Sequence, residues 1–212
     1  RNRFLSVDPA MRGWMNDRET YVPALRLGDV MRALTVGEVI ASQNPIFATG
    51  EFVVGIDGVQ EYAISDGSAL TKADVGLAPL PAYLNSLGIA GLTAYCGLIE
   101  IGAPKAGEAV VVSGAAGATG QVAAQIARIK GCRVIGIAGG EEKCRWLREQ
   151  ARVDATVDYK NEDVEARLQE LCPNGIDVYF DNVGGRMLEI VLGLIAMNAR
   201  VVLCGGISGY ND

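Results

Sequence analysis

Histidine is absent from all 212 residues. That removes the commonest general acid or base, the commonest zinc ligand, and every Ser-His or Cys-His nucleophile arrangement. The five cysteines, Cys96, Cys132, Cys144, Cys172 and Cys204, include no Cys-x-x-Cys pair, so neither a zinc ribbon nor a dithiol redox motif is written here. Three of them stand in strongly apolar surroundings, as small core residues of a chain kept in a reducing compartment do. No bound metal is expected. Clusters of Lys and Arg are missing too, and with a net charge of −6 and a pI near 4.8 the chain lacks the footprint of a nucleic-acid binder. The longest uncharged run, Val75 to Ile99, is interrupted by Pro79, Pro81, Asn85 and several glycines, which excludes a membrane span and marks a domain junction. No secretory signal opens the chain, so a cytoplasmic protein is expected. Residue 1 is Arg rather than Met, the mark of a piece cut from a longer chain.

What is abundant is apolar side chain, half of all residues, and glycine, 27 of them. From Arg1 to about Asp74 the runs RFLSVD, VGEVIAS, EFVVGI and VQEYAIS alternate with Gly, Pro, Asn and Asp, which predicts antiparallel β structure. After the junction, Gly88 to Gly102 reads as a buried helix with small residues for close packing. From Ala109 onward, strands are predicted near 109–113, 133–137, 156–157, 177–181 and 201–204, with helices near 120–130, 142–150, 162–171 and 186–197. Repeated βαβ units with apolar strands imply an α/β, Rossmann-type parallel sheet covered on both faces, with ligands at the carboxyl ends of the strands. The domains are placed at 1–87 and 88–212.

The chain is organised around AVVVSGAAGATG, Ala109 to Gly120. Four apolar residues, three of them valine, suit a strand buried on both faces. After Gly114, Gly117 and Gly120, the residues Val122, Ile126 and Ile129 recur at helical spacing up to Gly131. Strand, glycine turn, helix is a phosphate-binding geometry, because glycines let backbone approach a pyrophosphate and the first free amides of the helix donate to it. The spacing is a variant of G-x-G-x-x-G, with Gly114 one place early and Ala115 where the first glycine would stand. A buried strand followed by a packing helix would leave the same pattern.

An acidic residue about 20 positions beyond such a turn usually holds the adenosine ribose of NAD. Gly139 and Gly140 stand there instead, leaving room for a 2′-phosphate, and Lys143 follows at a helix start. NADP(H) is therefore the expected cofactor. Glu141, Glu142 and Lys143 also read as a plain solvated helix start.

Together the segments LSVDPAMRGWM, GLTAYCGLIEIG, VVVSGAAGATGQVAAQIARIKGCRVIG, GGEEK, YFDNVGG and CGGIS resemble the zinc-independent medium-chain dehydrogenase/reductases, in the branch of prostaglandin and leukotriene reductases, alkenal double-bond reductases and curcumin reductase. The resemblance implies a mostly β, GroES-like catalytic domain preceding the Rossmann domain, both incomplete here, since the family continues beyond the position matching Asp212. It implies that Gly117, Ala118, Thr119 and Gly120 hold the pyrophosphate, that Lys143 and Tyr159 meet the 2′-phosphate, and that Asn182 lies along the cofactor. Cys204, Gly205, Gly206, Ile207, Ser208 and Tyr210 belong to a loop passing toward the nicotinamide. By itself, Tyr159 reads equally as a surface tyrosine after a short strand. Two departures, Asp8-Pro9-Ala10-Met11-Arg12 and Gly88-Ile89-Ala90-Gly91, alter family patterns, the first at an aromatic wall of the substrate pocket.

The implied chemistry is NADPH-dependent reduction of the activated C=C bond of an enone or enal, by hydride transfer without metal. With neither histidine nor zinc, the donors to the developing oxyanion are expected to be hydroxyls or amides, from the cofactor ribose, a tyrosine or ordered water, and Tyr62, Tyr95 and Tyr210 are the candidates within this chain. Quinone reduction uses the same fold and cofactor, and a non-catalytic NADP(H)-binding protein is the rival of another class. The absence of any Tyr-x-x-x-Lys excludes a short-chain dehydrogenase. A small molecule, rather than nucleic acid or membrane, is the expected partner, in a homodimer or monomer.

Overall fold

The computed structural model describes residues 1–16 and 22–211, and among them the chain forms two compact units, Arg1–Ile89 and Ala90–Asp212. The first carries a four-stranded antiparallel sheet of β1 (Asn2–Leu5), β2 (Thr35–Glu38), β3 (Phe52–Gly55) and β4 (Thr71–Ala73), paired in that order. Val36 and Ala73 are buried on one face of this sheet and Val53 on the other, while a single helical turn, α1 (Ala10–Trp14), follows β1. The predicted strand over VQEYAIS does not form, and β4 takes its place further on. The physical reason is local. Ser65 Oγ accepts from the Gly67 amide at 3.1 Å and Asp66 Oδ1 from the Ser68 amide at 2.9 Å, side-chain turns that compete with a strand ladder.

The second unit opens with α2 (Ile89–Tyr95), which continues as a wider π-helical turn over Cys96–Gly102. The predicted helix is there, buried on one side only: Ala94 and Leu98 face the core, whereas Leu92, Tyr95 and Ile101 are exposed. A five-stranded sheet follows, built from β5 (Ala109–Val112), β6 (Arg133–Ala138), β7 (Ala155–Asp158), β8 (Ile176–Asp181) and β9 (Ile195–Leu203). All neighbours are parallel, in the order β7-β6-β5-β8-β9. The crossovers are α3 (Ala118–Ile129), α4 (Glu141–Glu149), α5 (Val164–Leu171) and α6 (Gly185–Leu192).

Alternation along β5 shows the layering. Val110 and Val112 pack with Ala123, Ala127, Leu147 and Leu98 in one core, and Val111 with Ile135, Leu168 and Tyr179 in the other. A strand apolar on both sides, as AVVV is, can sit only between two helical layers. The strand order reverses at β5, with β6 on one side and β8 on the other. That switch point opens a crevice at the carboxyl ends of β5 and β8, where α/β sheets bind ligands.

One boundary is corrected. The helix expected to reach Met197 ends at Leu192, and β9 begins at Ile195 rather than near Val201. Gly193 closes the helix with its amide on the Ile190 carbonyl at 3.1 Å, after which Ile195 pairs with Ile176. The apolar run LGLIAM satisfies a helical period, but the open flank of β8 supplies a ladder that overrides it. None of the helices among the described residues is long and apolar enough to cross a membrane.

Candidate nucleotide-binding site

The turn after β5 is shaped by one close approach. A Cβ on Gly120 would stand 2.4 Å from the Gly114 carbonyl oxygen and 2.9 Å from Ala115 Cα, so the first turn of α3 lies directly on the loop that precedes it. Gly117 is the N-cap, in extended conformation, and no side chain caps the helix. The leading amides of this 12-residue helix, those of Ala118, Thr119 and Gly120, are thus left for an external acceptor. A Cβ on Gly117 would meet only the Gly114 oxygen, at 3.1 Å, and this residue is exposed where Gly120 is buried.

The crevice beside this turn is fastened by a fully buried aspartate. Asp181 Oδ1 accepts from Ser113 Oγ and Tyr179 Oη, both at 2.8 Å, from the Val183 amide at 2.9 Å and from the Gly184 amide at 3.0 Å. Its own carbonyl accepts from the Cys204 and Gly205 amides at 2.8 and 3.0 Å. Burial, above all, drives the Tyr179 hydroxyl far above the usual tyrosine range, so it stays protonated and donates. Asn182 is turned to the same place, with Nδ2 donating to the Ser113 carbonyl at 2.7 Å and its amide to Ser113 Oγ at 2.9 Å. Asp181 ends β8, at the edge where a ligand of such a sheet would be met. The structure instead spends its carboxylate on the protein, joining the ends of β5 and β8, while its backbone carbonyl holds the end of β9. Ser113 was not singled out; a serine directly after a buried apolar strand was the available signal.

The loop after β9 folds back on β8. The amides of Ile207 and Ser208 donate to the carbonyls of Asn182 and Val183 at 3.4 and 3.1 Å, and Ser208 Oγ donates to Val183 O at 2.6 Å. Tyr210 Oη accepts from the Gly206 amide at 3.4 Å. Asn182, Cys204, Gly205, Gly206, Ile207, Ser208 and Tyr210 are therefore one continuous assembly at the crevice. The Cys204 thiol is pushed up by burial and then by the nearby Asp181 carboxylate, which keeps it a neutral lining group rather than a nucleophile. Of the other tyrosines singled out, Tyr95 ends α2 half exposed, and Tyr62, in the first unit, lies under the Arg1 guanidinium at 5.8 Å.

The second glycine turn follows β6. Here the room beside Gly139 is not empty: a Cβ would stand 2.8 Å from Cε1, Cζ and Oη of Tyr159, whose ring occupies that space. Open space remains only at Gly140, where φ is +94° and a Cβ would meet nothing within 4 Å. Lys143 lies exposed in the first turn of α4, and among the described residues no carboxylate is within 4 Å of it; Glu141 is engaged by Arg148 at 2.6 Å. The turn thus brings an unpaired cation, an exposed phenol and an open glycine to one helix start. A cavity of about 510 Å³ between α4 and α5 lies beside it, but both of its arginines are already paired, Arg148 with Glu141 and Arg167 with Glu162.

The donor set fits a phosphate-bearing dinucleotide: uncapped amides at α3, a crevice at the switch point, and a cation at α4. Among the described residues no three Cys, Asp or Glu are grouped to hold a metal ion, and burial raises the thiols of Cys132, Cys144 and Cys172.

Two family models match, one described as the N-terminal domain of an oxidoreductase over residues 1–73 and one described as a zinc-binding dehydrogenase over 118–212. Over its whole length the chain is 44% identical to the NADPH-dependent curcumin reductase of Escherichia coli, of which it spans 61%. It is 40% identical to prostaglandin reductase 1 of Bos taurus, with 98% of this chain and 62% of that one aligned. Among solved structures, CurA of Vibrio vulnificus in complex with NADPH superposes with a TM-score of 0.94 at 44% identity, covering all of this chain and 63% of that one. The chain thus spans about three fifths of the curated relatives it matches.

Proposed function

The chain belongs to the medium-chain dehydrogenase/reductase family, in the branch of the curcumin and prostaglandin reductases, and from that premise we propose that it is the greater part of an NADPH-dependent reductase of activated C=C bonds. The observation that carries the reading is the pairing of two sites at the carboxyl ends of adjacent strands, uncapped amides after β5 and an unpaired Lys143 after β6. A dinucleotide carrying one phosphate more than NAD(H) needs both.

Bound NADPH supplies the hydride, which goes to the β-carbon of an enone or enal while a proton completes the saturated product at the α-carbon. The protein's own work is placement. Ala118, Thr119 and Gly120 hold the pyrophosphate by their amides. Lys143 and Tyr159 hold the 2′-phosphate. Asn182 and the loop from Cys204 to Tyr210 wall the crevice on its β8–β9 side, with Tyr210 as a candidate hydroxyl for a developing oxyanion. The reading includes activity without metal.

The test uses the intact protein. NADPH oxidation is followed over a series of enones, enals and quinones, with NADH in parallel. Turnover of enones and enals with NADPH in preference to NADH is the expected result. Turnover of quinones alone would move the reading to quinone reduction, and NADPH binding without turnover of any of them would move it to a binding protein.

A further inference from the structure

Asp158, the last residue of β7, ties together both halves of the turn just described. It is buried. Oδ1 accepts from the Gly140 amide at 2.8 Å and from the Lys160 amide at 3.1 Å, while Oδ2 accepts from Asn161 Nδ2 at 2.7 Å. Its backbone carbonyl takes the Asn161 and Glu162 amides at 3.0 and 2.9 Å. Between these anchors stands Tyr159, whose amide donates to Ala138 O at 3.1 Å and whose ring lies against Gly139. One carboxylate therefore spans from the Gly139–Gly140 turn that opens α4 to the turn that presents Tyr159.

We propose that Asp158 is a positioning residue for cofactor choice, holding the Gly140 turn and the Tyr159 turn in one geometry so that a 2′-phosphate meets both. This rests on the reading of the unit as a binder of NADP(H). Asp158 is not itself a ligand, because both of its oxygens are already taken by protein donors. Those donors, the Gly140 amide first and then Asn161, also hold its carboxyl below the usual carboxylate range, so it is charged whenever the turn is formed. A buried carboxylate next to a phosphate site would otherwise repel the ligand; here three N–H groups face it and offset its charge.

The experiment measures dissociation constants of NADPH and NADH, and of 2′,5′-ADP and 5′-AMP, on the intact protein. Asp158→Ala frees the Gly140 amide and unties the Tyr159 turn, and the NADH to NADPH ratio of constants is expected to fall about fivefold, as removal of a single hydrogen bond to the phosphate would make it do. Asp158→Asn keeps an oxygen for the Gly140 and Lys160 amides and is expected to restore most of the ratio. Should Asp158→Ala fail to fold, Asn161→Ala, at an exposed position, removes one arm alone and is expected to lower the ratio about twofold. A parallel loss of affinity for both dinucleotides, with the ratio unmoved in every variant, would mean a merely structural role and overturns the inference. A wild-type protein with no preference for NADPH, or for 2′,5′-ADP over 5′-AMP, would overturn the reading of the site as well.

Discussion

After β5 the chain closes backbone upon backbone; after β6 it closes upon a side chain. Gly120 lies on the Gly114 carbonyl with no atom between that could move aside, whereas Gly139 lies under the rim of the Tyr159 ring, half exposed and hinged at two torsions. The first turn has no side-chain fastening of its own, and its neighbour Ser113 is held from below by Asp181. The second is fastened by Asp158. The contrast matches what each turn must bind. A pyrophosphate is common to every dinucleotide and, in the proposed reading, is met by main-chain amides, which side-chain substitutions other than proline leave in place. A 2′-phosphate distinguishes one dinucleotide from another and, in the same reading, is met by side chains, which can change without altering the sheet.

The sharpest way to test this contrast is Gly120→Ala. The added methyl would press on a carbonyl oxygen and a Cα, neither of which can rotate away. Overpacking of this kind costs about 1–3 kcal/mol, and the shift it forces in α3 moves the very amides that would hold the pyrophosphate. NADPH and NADH should both be lost, with a lowered melting temperature. Unchanged affinity for both would show that the first turn has slack. Next comes Lys143→Ala, which touches only the second turn. A charge-assisted contact is worth roughly 1.5–3 kcal/mol, so NADPH affinity should fall roughly ten- to hundredfold while the melting temperature stays put. The NADH constant, measured in the same titration, should move far less; equal losses would mean that Lys143 does not see the 2′-phosphate.

The same contrast explains what could be read in the sequence. Main-chain features leave compositional traces: AVVV with glycines after it pointed to the buried strand, its turn and the helix behind it, and the alternation of apolar runs pointed to the parallel sheet. Side-chain fastenings leave none. Asp158 and Asp181 are ordinary acidic residues in a chain with 25 of them, and only the fold shows that one ties two turns and the other joins three strand ends. For the same reason Gly139 and Gly140 read as equivalent empty places until the ring of Tyr159, 20 residues further on, is seen to fill one of them. The misplacements were of one kind too. VQEYAIS reads as a strand by its turn-bounded run and LGLIAM as a helix by its period, and each was decided by something outside that local pattern, side-chain turns at Ser65 and Asp66 in one case and the flank of β8 in the other.

The smallest expected effect is the most discriminating. Gly139→Ala places a methyl 2.8 Å from three atoms of the Tyr159 ring, but those atoms are the free end of a side chain that is 51% exposed. The ring can therefore swing outward at little cost to the fold, and the melting temperature should stay within the range of ordinary surface substitutions. What should change is selection. With its phenol displaced, Tyr159 no longer meets a 2′-phosphate beside Lys143, and the loss of one neutral hydrogen bond, about 1 kcal/mol, lowers NADPH affinity roughly fivefold. NADH lacks the phosphate and should bind nearly as before. Tyr159→Phe removes the same hydroxyl without moving the ring, so Gly139→Ala and Tyr159→Phe should weaken NADPH equally, and the double variant no more than either. If Gly139→Ala instead lowered stability and both affinities together, as Gly120→Ala is expected to, the two turns would be closed by the same kind of packing, and the division between a main-chain turn and a side-chain turn would be lost.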